Sequence, residues 1–131
     1  MGRVASIVLR AGALVNLILG FAVWAGWAES MVLAHMVLGL VVIVAAWTLA
    51  LPEATAPGGN RAVAVAAVVL GLLLPVIGML QLSVEPGAAM WAMRALHVLT
   101  AIGIIGVGEA AVARRRRAVP APVGLRQTVS S

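Results

Sequence analysis

Apolar residues in this chain run on for twenty or so positions at a time, with neither a helical stripe nor a strand alternation to set a polar face apart. Four such runs, at about 4–27, 31–51, 62–82 and 89–113, each match the roughly 20 residues that cross a ~30 Å hydrocarbon core as a helix. Between them stand a short turn at 26–30 and two breaker-rich loops, PEATAPGGN at 52–60 and SVEPG at 83–87. Connections this short force neighbouring helices to be antiparallel. The expected fold is an all-α integral membrane protein, an antiparallel up-down-up-down four-helix transmembrane bundle over residues 1–117. Beyond Arg117 the segment VPAPVGLRQTVSS has two prolines and no apolar period, which predicts a disordered cytoplasmic tail over 118–131. The first run is too long for a cleaved signal peptide and lacks an A-x-A site before a soluble region, so it reads as a membrane helix.

Composition agrees. Of 131 residues, 63% are hydrophobic and 10% charged, and the mean hydropathy is +1.13. A soluble domain needs far more polar surface. Charge then sets direction. Arg3, Arg10, Arg61, Arg114 to Arg117 and Arg126, eight of the nine basic residues, fall on one side of the expected bundle, and only Arg94 on the other. The positive-inside rule places both termini and the second loop in the cytoplasm, for a multi-pass protein of the cell inner (plasma) membrane. The run Arg114 to Arg117 follows a membrane helix directly. It reads as an anchor on membrane lipid headgroups rather than a nucleic-acid site, so no nucleic-acid partner is expected. Trp24, Trp27 and Trp91 near the outer ends, and Trp47 near the inner end of the second helix, read as interfacial anchors. Glu109 is expected to pair with Arg114 or to face the interface. With no cysteine there are no disulfides, thiolate metal sites or cysteine nucleophiles. Ser6, Ser30, Ser83 and Thr100 have no acidic relay beside them, which leaves hydrolytic chemistry without support.

Candidate chemistry rests on two histidines, His35 and His97, the only ones in the chain. Ionisable groups within membrane segments are costly and mark functional positions in a bundle interior. The second and fourth helices run the same way, and a rise of 1.5 Å per residue puts both imidazoles level to within about a turn, in the outer half. Two histidines at one depth on parallel helices suit a single planar cofactor held between them. Gly39 and Ala101 follow their histidines by one turn on the same faces. Gly20 and Gly78 lie near the histidine level on the other two helices, where small residues would let a macrocycle edge approach the backbone. They also suit plain close helix packing in lipid, as do Gly12 and Asn16, which share a face with Gly20. Arg94, three residues before His97, would sit above it and could grip haem propionates through bidentate bonds, with Gln81 as a second donor. The plainer alternative is an arginine snorkelling to the headgroups.

The stretch ESMVLAHMVLGLVVIVAAW, followed about sixty residues later by WAMRALHVLTAIGIIG, resembles one four-helix half of the haem A synthases and, more broadly, a small four-helix membrane cytochrome b. The likeness covers roughly residues 5–113. It implies that His35 and His97 are the axial ligands of one b-type haem (haem b) per chain. In the family's catalytic half a glutamate stands three residues before the first histidine, where this chain has Val32, and the family's outer-loop cysteine pair is absent. A single-haem cytochrome is therefore expected rather than a stand-alone enzyme, although a homodimer would supply a second site. Two axial histidines leave iron no open position, which favours one-electron transfer with a quinol or a redox protein partner. Copper is the alternative metal: Met31 and Met93 each precede a histidine by four residues, giving a Met2His2 set suited to Cu(I). A further alternative is a structural subunit whose histidines are simply hydrogen-bonded. A multidrug-type transporter would want an acid at mid-depth, and none of Glu29, Glu53, Glu85 or Glu109 is clearly there.

Overall fold

The protein, seen in a computed structural model, is described over residues 2–118. Helix α1 spans Gly2–Trp24, α2 Val32–Ala50, α3 Arg61–Leu80 and α4 Ala88–Ala118; single 3-10 turns at Glu29–Met31, Leu51–Ala54 and Gln81–Ser83 join them. The described residues contain no strand, and all four helices are long and apolar enough to cross a membrane. Leu14, Ile18, Phe21, Leu33, Leu72 and Leu99 are among the many large apolar side chains left exposed round the outside. The expected tail, from residue 119 onward and including Arg126, lies outside the described residues.

Three boundaries move for local reasons. α1 stops at Trp24, three residues before the apolar run ends at 27. Gly26, at φ 75°, takes the left-handed conformation, and the Trp27 and Gly26 amides bond back to the carbonyls of Ala22 and Val23. That is a Schellman cap, which hydropathy cannot see. α3 starts one residue earlier than expected, at Arg61, because the Asn60 side chain accepts from the Ala62 amide at 2.9 Å. α4 continues to Ala118 rather than ending near 113.

The arginines explain the length of α4. Arg114 donates through Nε to Glu53 Oε2 at 2.9 Å and through Nη2 to the Gly58 carbonyl at 3.0 Å. Arg115 donates to the Leu49 carbonyl at 2.7 Å. Half of the expected headgroup anchor thus clamps the α2–α3 loop, in which the Glu53 carboxylate is buried. Glu109 pairs with Arg10 of α1 in a bidentate bond of 2.8 and 2.6 Å, not with Arg114. Five residues along α4 carry Arg114 well round the helix from Glu109, whereas Arg10 faces it across the seam. Trp47 also ties two helices together. Its indole N–H donates to the Ala67 carbonyl of α3 at 2.8 Å, and its ring lies against Gly71.

Contacts fix the directions. α1 meets α2 through Gly20 and His35 at one end and Gly12 and Val42 further along, so the two are antiparallel. α3 and α4 are antiparallel in the same way, through Gly78 with His97 and Gly103 with Leu70. α2 and α4 run parallel, meeting at the histidines and again at Leu49 and Arg115. α1 and α3 flank this central pair. The buried core, including Leu9, Ile43, Ala46, Leu49, Ala67 and Ala111, occupies the arginine-rich half of the bundle. There the alanines let backbones approach closely. Toward the histidines the helices part, and a cavity takes the place of a core.

Candidate functional site

The cavity has a volume of about 430 Å³ and draws its walls from all four helices. Every residue singled out from the sequence as a cofactor contact lines it: His35 and Gly39 from α2, Arg94, His97 and Ala101 from α4, Gly20 from α1, Gly78 from α3, and Gln81 just past α3. Most other lining residues are apolar, such as Phe21, Leu40 and Ile105. A concave apolar space of this size with a few convergent polar groups is how small-molecule sites are built.

His35 and His97 both line it, half-buried, with imidazole ring centres 6.3 Å apart and planes inclined by 50°. That separation is informative. Metal–imidazole bonds of about 2.0 Å, with ring centres roughly 1.1 Å behind the nitrogens, place the centres of two opposed ligands about 6 Å apart. His35 Nδ1 lies 3.1 Å from the Asn16 backbone carbonyl. As the N–H donor of that bond it leaves Nε2 free as a ligand, the orientation metal-binding histidines usually take.

Gly20 and Gly78 each lie directly against one of the histidine rings. A Cβ on Gly20 would stand 2.9 Å from His35 Cε1, and one on Gly78 3.0 Å from His97 Cε1. The room these glycines make is taken up by the imidazole edges. Gly39 and Ala101 do lie one turn deeper, as the helical period required.

Arg94 stands at the outer rim, its guanidinium carbon 5.3 Å from the ring centres of both Trp24 and Trp91. It is stacked rather than stretched out, and no ion pair holds it among the described residues. Beside it the Gln81 Oε1 is buried without a hydrogen-bond partner. The rim thus holds a guanidinium with no carboxylate partner and an amide oxygen with no donor.

Met31 and Met93 do not line the cavity; Met36, Met79 and Met90 do. Among the described residues no three His, Asp or Glu side chains come together as a metal-binding group. Two imidazoles alone suit a metal that brings its own equatorial ligands better than a bare ion. Sequence reasoning placed Asn16 with the packing residues, yet it lines the cavity, its Oδ1 buried and unpartnered. The signal was there: it is the only amide within the first apolar run. Pro75 also lines the cavity, from inside α3, and went unremarked because the run around it is unbroken.

Fold and site together define a four-helix bundle, of helices able to cross a membrane, with an internal two-histidine cavity. No protein-family model, curated protein or solved structure matches the chain.

Proposed function

We propose that this is a multi-pass membrane protein that holds one haem b between His35 and His97 and passes single electrons near its outer face. The observation that carries the reading is the 6.3 Å separation of the two imidazole centres across a cavity of about 430 Å³. Exposed apolar side chains on every helix support a lipid surround. Seven arginines at one end of the described bundle against Arg94 at the other support a cytoplasmic arginine-rich end. The resemblance to one half of the haem A synthases rests on the same two histidines and belongs to this proposal.

When bound, the haem would supply a one-electron couple, with His35 and His97 as the residues that hold its iron. The chain does the rest. His35 is aimed by the Asn16 carbonyl, and Gly20 and Gly78 seat the two rings. Arg94 would donate to a carboxylate of the macrocycle at the rim, and Gln81 would do so through its side-chain NH2. Leu40, Ile104 and Ile105 exclude water below. Quinol or a redox protein in the membrane or at its outer surface is the expected electron partner, since the cytoplasmic half is filled by core side chains.

Haemin titration of the purified apoprotein in detergent tests the reading. Saturation at one haem per chain, with a symmetric low-spin spectrum, is expected; no saturable binding at micromolar protein would overturn it.

A further inference from the structure

An ion pair stands on the outside of the seam between α1 and α4. Arg10 and Glu109 bond at 2.8 and 2.6 Å, yet their side chains are 53% and 36% exposed. Contacts fix their depth. Gly108, next to Glu109, lies against Leu9 of α1 and Ala46 of α2, and Ala46 stands four residues before α2 ends. At 1.5 Å per residue the pair is about 6 Å inside that end, and about 12 Å along α1 from Gly2. Glu53, the other carboxylate held by arginine among the described residues, is buried under its loop. Only the Arg10–Glu109 pair is turned outward.

On a helix that crosses a membrane, an outward ion pair at that depth meets lipid tails, which offer neither charge nor hydrogen bond. Its neighbours do not hide it. Ala110 and Ala113 beside Glu109 are short and exposed, and Leu14 and Leu17, one and two turns beyond Arg10, are exposed and apolar. Cation and anion side by side form a pattern that is its own complement. Rotation by half a turn about the membrane normal sets the α1 side of one copy against the α4 side of another. A second copy inserted the same way carries the same pair at the same depth; a different protein would need a matching reversed pair there. Arg3 and Arg116 lie seven residues from Arg10 and Glu109, about 10 Å nearer the arginine-rich end, where water and salt screen them.

We propose that two copies of this chain meet on the α1–α4 face about such an axis, with Arg10 of each copy against Glu109 of the partner subunit. This rests on the multi-pass reading above and not on haem. The four charges then alternate in sign, each between two opposite neighbours and away from lipid. Ala110 and Ala113 let the backbones close in around them. Each copy brings its own two-histidine cavity, so the dimer holds two.

The test uses the full chain, which has no cysteine, so that one introduced thiol reports on one position. Ala113→Cys, on the proposed face, and Ala62→Cys, exposed near the same end of the bundle on α3, are oxidised with copper phenanthroline in isolated membranes. Ala113→Cys is expected to give a disulfide-linked dimer and Ala62→Cys to stay monomeric. Within the Ala113→Cys chain, Arg10→Glu alone and Glu109→Arg alone are each expected to lower that dimer about tenfold, since like charges then meet across the face. Expressed together with tags of different size, the two variants restore it as a heterodimer. Each chain's own pair stays like-charged in that mixture, so only contact between chains rescues linkage. Equal linkage at both cysteines, no linkage at Ala113→Cys (the result if lipid phosphate alone covers the pair), or no rescue in the mixture would overturn the proposal. The cysteine contrast requires no charge variant to fold. A chain absent from the membrane fraction would instead remove the multi-pass reading beneath it.

Discussion

The double variant His35→Ala, His97→Ala is expected to be colourless, with haem content down at least a hundredfold, and to fold as well as the wild-type apoprotein. Haem loss follows because no other imidazole exists in the chain, and Met36, Met79 and Met90 are the only other soft donors in the cavity wall. Retained folding follows from where the core lies. Leu9, Ala46, Leu49 and Ala111 are packed in the opposite half, and neither histidine belongs to that cluster. Trading two half-buried imidazoles for alanine enlarges a space that is already a cavity and removes the buried, unpartnered His97 Nδ1. An orphaned buried polar atom costs about 1–3 kcal/mol, so its removal offsets part of the lost packing. Circular dichroism and the midpoint of thermal unfolding, measured on apoproteins in one detergent, check the folding half. Pyridine haemochrome assay checks the other. Haem retained at the wild-type level by the double variant would show that the two histidines are not the ligands.

The second large effect lies far from the cavity mouth. Gly71→Ala is expected to destabilise the protein by about 2 kcal/mol, the middle of the range for forcing an extra methyl group into a packed seam. A Cβ there would sit 2.6 Å from Trp47 Nε1, 2.9 Å from its Cε2 and 3.0 Å from Ile43 Cγ2. The indole cannot swing aside cheaply, because its N–H is bonded to the Ala67 carbonyl at 2.8 Å. Displacing it leaves that donor unpaired and parts α2 from α3 just below the site. Gly106→Ala is the matched control. Nothing lies within 4 Å of a Cβ at that position, so its midpoint should move little. Equal midpoints for the two variants would contradict the packing described for the α2–α3 seam.

Much of this molecule was legible in its sequence. Four unbroken apolar runs announced four helices, and short connections announced their alternating directions. Helical period and rise then put His35 beside His97, with Gly39 and Ala101 one turn deeper. Those inferences need only regular geometry, which a membrane-length helix obeys. What escaped depended on single backbone conformations or on partners distant in the chain. Gly26 ends α1 through a left-handed φ that hydropathy ignores. Glu109 finds Arg10, 99 positions away, across a seam whose register no local pattern encodes. Arg114 and Arg115 grip a loop, and Trp47 buckles two helices, because each meets a backbone carbonyl the sequence does not advertise. Gly20 and Gly78 were placed at the right level, but that the two imidazoles rest on them was not readable. A missing side chain shows that something approaches, never what it is.

Arg94 was readable only in part. Its charge and its position above His97 follow from spacing, but its seat over the rings of Trp24 and Trp91 comes from two different helices. Stacking costs the guanidinium little of its capacity to donate in the plane of its nitrogens, so an anion can be held at the rim without moving the arginine.

One measurement bears most directly on the central claim: the optical absorption spectrum of the wild-type protein purified in mild detergent from haem-replete cells. The account predicts a red protein whose reduced spectrum has the sharp paired visible bands of six-coordinate, low-spin haem with two histidine ligands. A colourless protein from cells that fill other haem proteins normally would contradict it.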